Sequence, residues 1–474
     1  MSTDEPKRPG CPHRIERPDC PPPPARADRR AFLLRTAGVA AAAGTSSVVP
    51  AAAAPPAGLA AREPFYGTHQ AGIATPAQRH LYFAAFDLKS EARGDLIALL
   101  RAWTQAAARL TQGEAAQPFD QSLHSIGATP AADAGGYAGS SSPAAPPAPG
   151  GTRPSPAAAP PGDTAEALGL APARLTITVG FGPGLFGEPR QDRYGLAAQR
   201  PAALIELPKF PGDQLMPERT GGDIAVQACA EDPQVAFHAV RQLARIAGAV
   251  AVIRWVQSGY LSIPPHERTP RNLMGFKDGT SNPQVEDSTT MAQHVWAGKE
   301  APAWMQQGSY LVARRIRIAL EHWDRMNVAF QEQTVGRQKY SGAPLGQHRE
   351  FEPLQLAASD RDGNPIIPEN SHVRLAAAAS NDGARILRRP YSYNDGVNVT
   401  AERWPPWHQG LEYDAGLFFL AYQRDPRTGF VKIYERMSRF DMLNQFVTHV
   451  GGGLFACPGG VSRGEYLGQR LFEA

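Results

Sequence analysis

Cysteine is scarce in this chain: there are four in 474 residues, and Cys11 and Cys20 lie at the extreme N-terminus, leaving Cys229 and Cys457 in the body. That excludes a disulfide-built scaffold, and the lack of any CxxC pair excludes a thiol zinc site or a dithiol redox motif. Charge of one sign is lacking as well. The formal net charge is +3 with no basic tract, so no nucleic-acid partner is expected. There is no His-x-x-x-His pair or carboxylate cluster for zinc, and no glycine-rich loop follows a strand to hold phosphate. The apolar run over residues 37–54 is rich in Ala and Gly and only weakly apolar, which disfavours a membrane anchor.

The length suffices for two or three domains. Of the 45 prolines, 17 fall in two low-complexity stretches. Residues 1–28 are Pro-rich and polar, and are expected to be disordered. Asp28-Arg29-Arg30-Ala31-Phe32-Leu33-Leu34, then the Ala-rich run with A-x-A sites near residues 50–54, reads as a Tat export signal. This route carries folded proteins and suits a chain that takes up a cofactor before export. Residues 1–54 are therefore assigned to leader and signal. The second stretch, residues 128–163, is rich in Ala, Pro, Gly and Ser and reads as a solvated insert without a core of its own.

Between these stretches the pattern alternates between strand and helix. Strands are expected over 81–88, 175–182, 223–230 and 252–256, and helices over 91–110 and 233–249. The order β-α-β-β-α-β is that of a ferredoxin-like unit. In the second half, 308–320 reads as a strand, 321–336 as helix and 337–368 as irregular. His372-Val373-Arg374-Leu375 reads as strand-like, 416–422 as a buried strand, 440–449 as helical and 451–455 as a last short strand. A second ferredoxin-like unit follows, giving an N-terminal domain at 64–260 and a C-terminal domain at 261–474.

The stretch NLMGFKDGTSNP, from Asn272 to Pro283, concentrates turn chemistry: Gly275 and Gly279 bracket Asp278, and Asn282-Pro283 closes the segment. An acid in such a bend either caps a turn or is aimed into a cavity at a fixed angle. Two other residues bear on the choice. His372 is either a hydrogen-bonded structural histidine or, as a neutral imidazole, an axial ligand for haem iron. Arg388 and Arg389 are surface charges, partners for phosphate or propionate, or a fixed positive charge in a site. Peroxide cleavage at haem needs a base that becomes an acid, and a cation facing the developing charge. Asp278 and Arg388 fit those two needs.

GFKDGTSNP, with SHVRLA and ILRRPYSY downstream, closely resembles the dye-decolourising (DyP-type) haem peroxidases, in their exported deferrochelatase/peroxidase branch. FYGTHQAGI, LTITVGFG, GRQKYSGAPLG, LFFLAYQRD and GGGLFACPGG extend the resemblance over residues 64–474. It implies an α+β fold of two ferredoxin-like domains with antiparallel sheets, of the dimeric α+β barrel type. One haem b per chain would be held mainly by the C-terminal domain. It implies Asp278 as distal acid/base, Arg388 as distal arginine and His372 as proximal iron ligand. Gly279, Thr280 and Ser281 would touch the haem, and Arg337 would pair with a propionate. Leu417 and Phe419, two apart on a strand, face the same way and would form either the apolar distal wall of the haem site or an ordinary core strand.

The implied partners are hydrogen peroxide with an organic reductant, or haem itself as a substrate for iron release, with a homodimer and an iron-uptake system also implied. A non-enzymatic haem carrier is the third alternative, needing His372 but not Asp278. Trp404, Trp407, Tyr391 and Tyr393 are candidates for electron transfer, although aromatics at those spacings equally build a core. The chain departs from the branch after the histidine, where Leu-Ala-Asn-Pro-Arg is replaced by Leu375-Ala376-Ala377-Ala378-Ala379, so no arginine at 379 can reach a propionate. A thiolate-ligand loop at Cys457 is disfavoured. The phenylalanine usual seven positions earlier is Val450 here, and the basic residue two earlier is Phe455.

Overall fold

The computed structural model describes residues 57–118, 162–187, 192–401 and 409–473. The stretch read as a twin-arginine leader, nearly all of the insert, and Trp404 and Trp407 lie outside them.

The first half contributes β1 (His80–Leu88), α1 (Arg93–Leu110), β2 (Thr176–Phe181), β3 (Ile224–Ala230), α2 (Pro233–Ala247) and β4 (Ala251–Tyr260). The start of α2 follows from Asp232-Pro233. The Asp232 carboxylate accepts the N–H groups of Gln234 and Val235, and Pro233 sits where no N–H is needed. The second half contributes β5 (Ser309–Ile318), α3 (Val328–Val335), α4 (His372–Ala376), β6 (Leu387–Arg388), β7 (Tyr391–Ala401), β8 (Gln409–Gln423), α5 (Lys432–Phe440) and β9 (Val447–Cys457).

Pairing is antiparallel between all neighbouring strands, in the order β5-β9-β2-β3-β1-β4-β7-β8-β6, and β5 also pairs with β8. The sheet therefore closes into a barrel. With the two-residue β6 left aside, each half supplies four strands in the spatial order fourth, first, third, second: β4-β1-β3-β2 in one and β9-β5-β8-β7 in the other. That is the ferredoxin-like order, used twice, as the sequence led one to expect. The seams are narrow. Phe181 pairs with Ala456 at one, and Tyr260 with Ser392 at the other.

The two-residue period of a strand sorts the core. Phe83 and Ala85 of β1 point into the barrel with Trp255, Tyr391, Phe418 and Phe455. Ala84 and Phe86 point outward to the layer containing Leu96, Trp103 and Leu243 of the two helices. Cys229 and Cys457 are buried free thiols of the barrel interior.

Three stretches differ from the sequence expectations. Residues 372–376 are a helical turn, entered from Ser371 in an extended conformation and closed by Leu375 N–H donating to Ser371 O at 3.1 Å. Four residues with one β-branched member carry too little periodicity to separate strand from helix. Helix α5 ends at Phe440, because Asp441 turns out of the helix and its side chain accepts from Leu443 N–H. Val447 and His449 then belong to β9, paired with Ile318 and Ile316. The helix expected over 321–336 is two shorter ones, separated where the Asn327 side chain accepts from Phe330 N–H.

Candidate active site

The Asn272–Pro283 stretch is a loop anchored on one side and open on the other. Gly275 and Gly279 adopt φ of +85° and +93°, values that L side chains rarely reach. Met274 and Phe276 are buried in a small core with Trp323, Val335 and Phe446. Asp278 N–H donates to Pro270 O at 3.0 Å, folding the loop back on its own entry. With the apolar residues committed to that core, Asp278 projects into a cavity of about 600 Å³, within the usual size of a cofactor site. Every residue lining the cavity lies between Asn272 and His449, in the C-terminal half.

Residue spacing along the strands builds one wall. Leu417 and Phe419 of β8 face the cavity together, whereas Phe418 and Leu420 between and beyond them face the barrel interior. Ile316 and Ile318 of β5, and Val447 and His449 of β9, continue that wall. Arg388 and Arg389 divide in the same way. Arg388 lines the cavity and its Nη1 donates to Asp278 Oδ1 at 2.9 Å. Arg389 is buried, donating to Thr75 O and Gln78 Oε1 of the other half. Asp278 Oδ2 has no hydrogen-bond partner among the described residues.

His372 lines the same cavity, and its Nδ1–H donates to Asp441 Oδ2 at 2.7 Å. Burial pushes the imidazole pKa down, the Asp441 carboxylate pushes it up, and the net shift is upward. A carboxylate that favours positive charge on the ring also favours a metal cation at the other nitrogen, Nε2, and fixes the ring orientation. Asp441 was not singled out in the sequence. It lies 69 residues from His372, inside a stretch that reads as helix.

The remaining expected residues are near, with different contacts. Thr280 and Ser281 line the cavity, and Thr280 Oγ1 donates to Glu350 Oε1 at 2.8 Å. Gly279 shapes the turn beside them. Arg337 also lines the cavity, but its Nη1 is bound to the carbonyls of Gly342 at 2.7 Å and Glu350 at 2.9 Å. Burial pushes its pKa down; nearby Glu350 opposes this and Arg388 adds to it. Tyr391 and Tyr393 are fully buried in the barrel, away from the cavity lining. Two further residues were not anticipated: Asn282, whose side chain bonds the Arg388 backbone, and His449, whose Nδ1 is buried without a partner among the described residues.

Residues 70–261 match the family model for the N-terminal part of Dyp-type peroxidases, and residues 269–462 match the model for the C-terminal part. The chain is 38% identical over 421 residues to the dye-decolorizing peroxidase of Thermobifida fusca, covering 85% of this chain and 84% of that one. It is 35% identical over 429 residues to the deferrochelatase of Escherichia coli K12, covering 87% of this chain and 88% of that one. Among solved structures, an oxyferrous/water mixed complex of DtpA from Streptomyces lividans superposes with a TM-score of 0.72 at 38% identity, covering 88% of this chain and 98% of that one.

Proposed function

The chain belongs to the Dyp-type peroxidase family and is a haem-dependent peroxidase; from that premise we propose that His372 ligates the iron, Asp278 moves the peroxide proton and Arg388 offsets the developing charge. The observation that carries this reading is the 2.9 Å Asp278–Arg388 pair lining the same cavity as the Asp441-bound His372. The cavity suits haem: its volume is adequate, its walls carry Leu417, Phe419, Ile316, Ile318, Met437 and Leu443, and the His372 imidazole, held through Nδ1 by Asp441, has Nε2 left for a metal.

Haem bound there would supply the iron chemistry that reduces hydrogen peroxide and draws single electrons from organic donors. The chain's own residues set the rest. Arg388 holds Asp278 Oδ1, so Oδ2 is the oxygen that takes a proton from peroxide. The same oxygen returns the proton to the departing oxygen, which leaves as water. The guanidinium stays charged throughout and opposes charge build-up on the oxygens. Asp441 keeps the His372 ring oriented and basic.

Stopped-flow absorption of the haem-loaded protein mixed with hydrogen peroxide tests the roles. Asp278→Asn is expected to lower the rate by about 10²–10⁴, and Arg388→Leu by about 10²–10³. Wild-type rates at full haem loading would remove the corresponding role.

A second reading is favoured by the relatives named deferrochelatase: release of iron from haem with the porphyrin kept intact. Iron-free protoporphyrin after incubation with haem is its signature, and its absence restricts the chain to peroxidase chemistry. The twin-arginine leader supports export of the folded protein to the periplasm or cell exterior.

A further inference from the structure

Asn282 lies four residues after Asp278 on the same loop, in a turn closed by its own N–H donating to Gly279 O at 3.0 Å. Its carboxamide spends both ends on one residue. Nδ2 donates to Arg388 O at 2.7 Å, and Oδ1 accepts from Arg388 N–H at 3.1 Å. This is the pattern a neighbouring strand would offer, supplied by a side chain.

The pattern matters because β6 is only two residues long, Leu387–Arg388, and pairs with β8 on one side alone. Arg389 N–H turns to β8, donating to Leu420 O at 2.8 Å. The N–H and C=O of Arg388 point the other way, to the edge that Asn282 fills. Pro390 follows Arg389, so the ladder cannot continue through the next N–H on that edge. Without Asn282, the backbone carrying the guanidinium would be a strand edge one residue from a break, held to the Asp278 loop by the Asp278–Arg388 pair.

Resting on the roles proposed above for Asp278 and Arg388, we infer that Asn282 is a positioning residue that locks the Arg388 backbone to the Asp278 loop. The acid and the guanidinium then move as one body. Three contacts fix their relation: the two carboxamide bonds and the 2.9 Å ion pair. Asn282 touches neither proton nor peroxide in this scheme and acts only through Arg388.

The test uses the haem-loaded full chain and four proteins: wild type, Asn282→Ala, Arg388→Leu and the double variant. Loss of the lock is expected to slow the reaction with hydrogen peroxide by about 10- to 100-fold in Asn282→Ala. The later oxidation of an organic donor should keep its rate. In the Arg388→Leu background, Asn282→Ala should cost nothing more, because residues that act through one another are not additive. Asn282→Asp keeps the size and the acceptor but loses the donor to Arg388 O, so it should show the same selective loss and serves if the alanine variant does not load haem. A wild-type peroxide rate in both single Asn282 variants, or losses that simply add in the double variant, would overturn the inference. If Arg388→Leu is itself unimpaired, the role proposed for Arg388 fails, and this inference fails with it. An impaired Arg388→Leu beside unimpaired Asn282 variants removes the positioning role alone.

Discussion

At the scale of single residues, the sequence exposed the groups whose chemistry is local and hid those that work through a partner far along the chain. Asp278 and Arg388 stand in short distinctive strings, and the fold brings them to 2.9 Å. Asp441 and His449 sit in a run that reads as helix, and only the β5–β9 pairing assigns His449 to a wall of the cavity. His449 also makes a measurable prediction. Burial, with the Arg314 guanidinium adding to it, pushes its pKa down to about 3. An unfolded histidine titrates near 6.5. Between these values the unfolded chain takes up a proton that the folded chain refuses. The stability present above pH ~6.5 is therefore lost as pH falls towards about 3, by up to about 1.4 kcal/mol per pH unit. The His449 ring stacks on Tyr434, centroids 4.5 Å apart, so His449→Phe keeps the stack and removes the titrating group. Its denaturant-unfolding stability should fall less steeply than wild type over this range. Parallel acid profiles for the two proteins would show that His449 is protonated without cost in the folded state.

At the scale of elements, alternation within β8 separates two jobs on consecutive residues. The sequence stretch LFFLAYQRD marked a strand and placed Leu417 and Phe419 on one face, but left open whether that face was a cavity wall or core. Phe418 is fully buried against Phe83, ring centroids 5.2 Å apart, and against Trp255 at 6.1 Å. Phe418→Ala should thus destabilise the cofactor-free protein by about 3–5 kcal/mol, the usual range for emptying a core phenylalanine site. Phe419→Ala opens a wall that already borders a cavity. It should cost the cofactor-free protein less and show its larger effect in haem retention, read as the rate of haem transfer to a scavenger protein. Equal stability losses with unchanged haem retention would contradict this division of faces. The short elements were the illegible ones. The turn at His372–Ala376 and the pair Leu387–Arg388 are set by contacts with Ser371, Asn282 and β8 rather than by their own periodicity.

At the scale of the whole molecule, duplication of the ferredoxin-like order was readable because each half carries its own strand and helix rhythm. Closure was legible only through the family resemblance, which implied a barrel type; strand and helix rhythm could not show it, because the seams rest on single residue pairs from distant parts of the chain, Phe181–Ala456 and Tyr260–Ser392. Closure has a physical consequence for the site. The cavity draws all its lining from the C-terminal half, yet that half ends in two strand edges, β9 and β7, that the N-terminal half covers. The barrel interior is likewise shared: Phe83 and Trp255 of one half pack against Phe418 and Phe455 of the other. A C-terminal fragment of residues 261–474 would keep His372, Asp278 and Arg388 but expose both edges and one face of the interior. Exposed edges and apolar faces invite pairing with another chain. The fragment should therefore self-associate or aggregate in light scattering, and co-expression with residues 57–260 should restore a soluble haem-binding pair. A monomeric C-terminal fragment that binds haem as tightly as the full chain would mean that the N-terminal half shapes neither the barrel nor the cavity beneath it.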